Sequence, residues 1–326
     1  MLPTPSTSHV SYDRIYEPAE DSYLYLDTLS SASETEWLQA RFKPSFDQTS
    51  ASSLPSTTTT SPHRTGRAPT PITTPPLVVE LGPGSGVIIA FLTAHAHTIF
   101  GQPVLSLGVD VNPHACLATR TTVEKALYET RTAPESNSTI NNSIYLASLT
   151  GDLTTPLRPG EVDVLIFNPP YVPTDSVPDF EALRNQNQNQ QIHTVPVTSV
   201  GADANDTQSN PKLDTKVSSY SSSLTFEESS HLLALSYAGG IDGMQVTMRL
   251  LRQIPLILSP RGVAYILFCR GNKPEEVKSW IRSWNDDGSD NSGSDDGRRR
   301  WTAETVGSSG KTAGWEKLEI VRICRE

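Results

Sequence analysis

Asn168, Pro169, Pro170 and Tyr171 follow directly on the apolar run Val162–Phe167. Two consecutive prolines end a strand, because neither has an N–H to give to a ladder. A residue that precedes proline is also pushed out of the helical region. Asn168 is therefore expected in stiff, extended backbone at the carboxyl end of a strand, the edge where open α/β sheets bind ligands. An amide that donates and accepts, an exposed proline carbonyl and the flat ring of Tyr171 together suit a planar –NH2 group. Alone, the tetrapeptide is more often simply a strand followed by a turn.

A second segment changes that balance. Leu77-Val-Val-Glu80-Leu-Gly82-Pro-Gly84-Ser-Gly86 runs from a β-branched strand into a glycine loop, and Val87–Thr93 has the apolar character of a helix packed on a sheet. Glycines there allow turns and a close backbone approach that a Cβ would block. Strand, loop and helix N-terminus make a cradle for a nucleotide-like ligand. The spacing is G-x-G-x-G, with Val87 where a dinucleotide fingerprint needs its third glycine, and the Gly-Lys-Ser/Thr of a Walker loop is missing. Glu80 disfavours a pyrophosphate and suits a cation. Asp110, near the end of the next predicted strand, is placed to bind a ribose diol. A nucleoside with a positive charge and no phosphate is S-adenosylmethionine. Asp152 and Leu153, in Gly151-Asp-Leu before the fourth strand, complete the pattern, although Asp152 alone is as readily a turn residue.

With these residues in place, the chain resembles the class I S-adenosylmethionine-dependent methyltransferases, and among them the release-factor glutamine methyltransferases. Tyr16-Glu-Pro-Ala-Glu-Asp-Ser22 is similar to the Y-E-P-A-E-D-[ST] of the eukaryotic and archaeal branch. So are Val109-Asp-Val-Asn-Pro113, Phe167-Asn-Pro-Pro-Tyr-Val172, Ala238-Gly-Gly-Ile-Asp-Gly243 and Leu258-Ser-Pro-Arg-Gly262. The resemblance implies methylation of the glutamine side-chain amide in the Gly-Gly-Gln loop of a class 1 release factor, free or with its GTPase partner. It implies that Tyr16, Glu20, Asp21 and Ser22 close over the methionine end of the cofactor, and that Glu80 and Gly82 sit under it. Gly84 and Gly86 complete the loop, Asp110 takes the ribose, and Asp152 with Leu153 holds the adenine. Asn168 and the Pro169 carbonyl would hold the substrate amide, with Pro170 and Tyr171 beside them. It also implies a small zinc-binding activator subunit.

The remaining chain must position these groups. Residues 44–76, 181–228 and 285–298 are rich in Ser, Thr, Pro, Asn, Gln, Asp and Gly, and are expected to be disordered inserts, which the resemblance does not cover. Without them the chain fits a single α/β domain with an N-terminal cofactor-closing segment at 10–43. Strands are predicted at 77–81, 105–111, 143–149, 162–167 and 262–269, with a terminal hairpin of 301–306 and 315–324 around Gly307–Gly314. Helices are predicted at 20–40, 86–98, 113–131 and 230–257. By analogy with the family, the sheet order would be 3-2-1-4-5-7-6 with helices on both faces. Strand 143–149 would then be an apolar edge, which is a hazard unless covered. We expect the activator subunit to pair there by strand addition.

Lys plus Arg is 26 against 36 Asp plus Glu, a net charge of -10, which weighs against non-specific nucleic-acid binding. Arg298, Arg299 and Arg300 form one local basic run, read as a solvated loop. Cys116, Cys269 and Cys324 are scattered without a C-x-x-C pair, so neither a zinc site nor a disulfide framework is indicated. His95 and His97 face different sides of a helix and are not read as ligands. No apolar run approaches the roughly 18 residues of a membrane span, and the start Met-Leu-Pro-Thr-Pro-Ser has no leader character. The expected address is the cytosol, with the nucleus as a second one. The rival functions are adenine-N6 methylation of DNA or RNA, where a planar amine is also held, protein-lysine methylation, and a non-catalytic cofactor-binding scaffold.

Overall fold

The computed structural model describes residues 2–43, 74–132, 141–178, 226–284, 300–309 and 317–326. The N-terminal segment leads into α1 (Glu20–Leu29) and α2 (Ala32–Arg41). Then follow β1 (Leu77–Leu81), α3 (Val87–Ala94), α4 (Ala96–Phe100), β2 (Leu105–Asp110), α5 (Pro113–Thr132), β3 (Ile144–Thr150) and β4 (Val162–Phe167). The second half is α6 (Phe226–Tyr237), α7 (Gln245–Ile257), β5 (Leu258–Cys269), α8 (Pro274–Arg282), β6 (Trp301–Ser308) and β7 (Leu318–Arg325). The expected inserts lie outside the described residues, apart from 74–76 and 226–228, as do Arg298 and Arg299 and the tip of the terminal hairpin.

One sheet of 7 strands runs in the order β3-β2-β1-β4-β5-β7-β6, as expected. The pairs from β3 to β5 are parallel, and β7 is antiparallel to both β5 and β6. Helical crossovers cover both faces, so the central strands are apolar throughout rather than alternating. All of β4 is buried. Its side chains still divide by the period of two: Val164 and Ile166 join Tyr25, Ile89 and Tyr265 on one face. Leu165 and Phe167 join Leu250, Ile254 and Phe268 on the other. Asp163 staples the amino ends of three strands. Its carboxylate accepts from the Leu77 N–H at 3.0 Å, Ser259 Oγ at 2.7 Å and Arg261 at 2.9 Å twice, which satisfies a buried charge.

Three expected helices are each divided in two. The 20–40 helix breaks at Ser30 and Ser31, where the Ser30 hydroxyl donates back to the Leu26 carbonyl and Ser31 caps the Glu34 N–H. The 86–98 helix turns at His95. The 230–257 helix gives way to Ala238–Met244, where Gly240 and Gly243 have φ of 72° and 67°. That break meets the chain just after the two prolines: Val172 N–H donates to the Tyr237 carbonyl, and Gly239 N–H donates back to the Val172 carbonyl at 2.8 Å. A Cβ on Gly239 would stand 2.5 Å from the Pro170 carbonyl oxygen, so the glycine allows this loop to clamp the chain just after the two prolines. The β5 strand begins at Leu258, ahead of the expected 262, and α8 was not foreseen. Trp280, Trp284 and Trp301 tie α8 to β6 by successive edge-to-face contacts at 5.1 and 5.2 Å.

Candidate active site

A cavity of about 1250 Å3 opens at the carboxyl ends of β1, β2 and β4. The parallel strands bring Glu80, Asp110 and Asn168 to its wall, although 88 residues of sequence separate the first from the last. The N-terminal segment forms another side through Ile15, Tyr16, Asp21 and Ser22. It is tied down by Asn112, whose Nδ2 donates to the Arg14 carbonyl at 2.9 Å.

The glycine loop works as three left-handed residues, with φ of 60° at Gly82, 54° at Gly84 and 79° at Gly86. Gly82 and Gly84 line the cavity. Gly86 does not: it is the N-cap of α3, and a Cβ there would meet the Thr119 backbone at 2.6 Å. Its task is to let α3 and α5 approach. Glu80 is buried under the loop and accepts from the Ile89 N–H at 2.8 Å. Burial pushes its carboxyl well above the usual range, an effect opposed by that N–H and reinforced by nearby Asp110. Asp110 accepts from the Gly84 N–H at 3.1 Å and the Asn112 N–H at 2.8 Å. Burial still pushes it up to about 6. Each carboxylate retains lone pairs for a ligand.

Leu153 is buried with φ of 50°, a strained conformation for a branched side chain, and lines the cavity floor. Asp152 is half-exposed and forms an ion pair with Arg249 of α7, a partner that lies 97 residues away and left no signal in the sequence.

On the other side of the cavity, Asn168 Nδ2 donates to Asp21 Oδ2 at 3.1 Å. Asn168 Oδ1 is buried without any partner. Pro169 and Pro170 continue the wall. Tyr171 departs from expectation: it lies outside the cavity wall and packs, partly buried, against the core cluster of α1 and α3. Side chains alternate along extended backbone, so the ring turns away from the side that Asn168 and Pro170 present. Glu20 is exposed and also lies off the wall. Tyr16 is half-buried beside Asp21, and burial together with that carboxylate raises its phenol to about 12.

Tyr25 was missed by sequence reasoning. It is fully buried, and its hydroxyl donates to the Phe167 carbonyl at 2.7 Å and the Tyr265 carbonyl at 3.2 Å. It thus holds the residue just before Asn168. Its position four residues after Asp21, on one face of α1, was the available signal. Among the described residues no group of His, Cys, Asp and Glu could hold a metal, and no helix is long and apolar enough to cross a membrane.

No protein-family model matches the sequence. The human protein "Methyltransferase HEMK2" is 25% identical over 281 residues, covering 84% of this chain and 82% of that protein. The Schizosaccharomyces pombe "eRF1 methyltransferase catalytic subunit mtq2" is 25% identical over 282 residues, covering 85% and 83%. A solved chain of the E. cuniculi Mtq2-Trm112 complex aligns with 96% of this chain and 99% of its own length at 16% identity and a TM-score of 0.44. A methyl donor is the cofactor that such relatives imply. The chain thus joins the sheet order of the class I methyltransferase fold, a glycine loop and Asn168 with its two prolines to a sequence similar to HEMK2 and Mtq2 along most of its length, and on these grounds it is a methyltransferase.

Proposed function

We propose that this chain transfers a methyl group from S-adenosylmethionine to the side-chain amide nitrogen of the Gly-Gly-Gln glutamine in a class 1 translation release factor. One observation carries the reading: the buried, unpartnered Oδ1 of Asn168, a residue that lines the cavity together with Pro169. An unmade hydrogen bond at a buried acceptor costs about 1–3 kcal/mol, so the site is built for a donor. The –NH2 of a primary amide offers two N–H groups in one plane. The "eRF1 methyltransferase" name of the fission-yeast relative supports the same substrate.

The residues present fit the cofactor. Asp110 has lone pairs left for ribose hydroxyls, Gly82 and Gly84 leave room above the loop, and the buried carboxyls of Glu80 and Asp21 favour a cation. Leu153 and Asp152 line the part of the cavity suited to the adenine. When bound, the sulfonium supplies an electrophilic methyl group and a neutral leaving group. The protein's own contribution is orientation and electrostatics. Asn168 Oδ1 and the Pro169 carbonyl each accept one N–H of the substrate amide. This sets the amide plane and raises electron density on a nitrogen whose lone pair is otherwise delocalised. The surplus proton leaves during or after transfer.

The sheet supports a partner at its edge. Edge strand β3 exposes Ile144 and Leu146, by 54% and 50%, and a small zinc-binding activator covers it by adding a strand.

The test is transfer of labelled methyl from S-adenosylmethionine to purified release factor by the enzyme co-expressed with the activator. Label should appear on the release factor and vanish when its Gly-Gly-Gln glutamine is replaced by Asn or Ala. Label on adenine-containing DNA or RNA instead would overturn the reading.

A further inference from the structure

We propose that Asp21 is a positioning residue that fixes which way the Asn168 amide faces, and that this makes the site select an –NH2 group over an isosteric carboxylate. The inference deepens the amide-methylation reading and rests on it. An asparagine side chain is ambivalent, because rotating its amide by half a turn exchanges a donor for an acceptor. Asn168 alone could therefore present either group to the cavity.

Asp21 removes the choice. It is 4% exposed, and an ionised carboxylate only accepts. Its Oδ1 is held by the Ser22 N–H at 2.6 Å and the Ser22 hydroxyl at 3.3 Å. Its Oδ2 accepts from Asn168 Nδ2 at 3.1 Å. Tyr16 lies beside this carboxylate, which helps to raise its phenol. The opposite orientation would set Asn168 Oδ1 against a carboxylate oxygen and leave two acceptors facing each other. The amide nitrogen is thus committed to Asp21, and the orphaned Oδ1 is left for the ligand. A glutamine amide meets that acceptor with an N–H, whereas a glutamate carboxylate meets it with a lone pair. Selectivity between them arises one residue behind the one that touches the substrate.

The test compares affinities of the product-cofactor-saturated enzyme for release factor carrying Gln or Glu at the Gly-Gly-Gln position, by calorimetry on the activator-bound complex. The wild type should prefer Gln by at least about 100-fold, because a site built to pair a polar group rejects an analogue that cannot pair with it. Asp21→Asn lets the two amides pair in either sense, and the preference should fall below about 10-fold. Asp21→Glu, which keeps an acceptor-only group, should retain most of it. An undiminished preference in Asp21→Asn overturns the role of Asp21 while leaving amide methylation standing. No preference in the wild type overturns both. An independent reading uses the unsubstituted protein with ¹⁵N-labelled asparagine. The Asn168 side-chain NH2 should exchange with solvent at least about 10-fold more slowly than exposed asparagines, as a buried donor with a fixed partner does. Equally fast exchange would show that the nitrogen faces the cavity and overturn the assignment.

Discussion

Glu80 and Asp110 stand at the ends of neighbouring strands, and burial raises the pKa of both. Without a ligand, Asp110 holds a proton once the pH falls below about 6. A sulfonium nearby favours the ionised form, so binding S-adenosylmethionine should expel that proton. Affinity should therefore rise with pH through the window around 6, and any further rise above it belongs to Glu80, whose carboxyl burial also raises. Calorimetry in buffers of different ionisation enthalpy should register net proton release near that pH, and less of it for the uncharged product cofactor. Asp110→Asn should abolish the Asp110 part of this pH slope and weaken binding by roughly 10-fold, the scale of one charge-assisted hydrogen bond. Asn168→Ala should lower turnover by at least about 100-fold, as the loss of an electrostatic stabiliser does. A cofactor affinity that fell equally would mark Asn168 as a cofactor residue. Asn168 and the glycine loop were legible in the sequence because proline and glycine act locally on the backbone. The roles of Tyr25 and Arg249 were not, because their partners lie far along the chain. Tyr171 packs against the core instead of lining the cavity, which its place next to the prolines in sequence did not reveal.

The elements tell a similar story. Strand positions were legible from β-branched runs bounded by glycine and proline, and the edge character of β3 followed once the order was known. If β3 receives a partner's strand, Ile144→Lys or Leu146→Glu should abolish co-purification of the activator, because a charge would face its apolar surface. A pair that survives either change would place the activator elsewhere. The helix breaks were not legible at Ser30 and His95, where no glycine or proline marks the turn and side-chain hydrogen bonds or packing decide. Gly86 offers a test of packing without chemistry. Its left-handed φ leaves alanine no room, since the added methyl carbon would stand 2.6 Å from the Thr119 backbone. Gly86→Ala should cost about 2 kcal/mol or more by backbone strain and overpacking, seen as a lower denaturation midpoint at unchanged slope.

At the scale of the whole molecule, the sheet order was available through resemblance and not from periodicity, which cannot tell that β7 inserts between β5 and β6. What joins the flanks of residues 44–73 was also hidden. Arg41 donates to the Arg261 carbonyl at 3.0 Å, and the Arg261 side chain donates to the Thr74 carbonyl at 3.2 Å. The chain leaves and re-enters beside one arginine, at the end of the sheet away from the cavity. A linker of about six Gly and Ser residues can reach roughly 20 Å. Exchanging 44–73 for such a linker should leave methyl transfer unchanged and Tm within about 3 °C, since long loops add little closure entropy. A collapse of either would assign those residues a structural or docking task. The edge-to-face tryptophans that tie α8 to β6 have an optical consequence. Neither these nor Trp37, which lies under Arg322, lines the cavity. Ultraviolet emission from these indoles should stay silent as the cofactor is titrated, after absorbance correction, and change when the sheet comes apart. With Trp315, which lies outside the described residues, replaced by phenylalanine, these four indoles form a built-in dye for unfolding that is blind to occupancy.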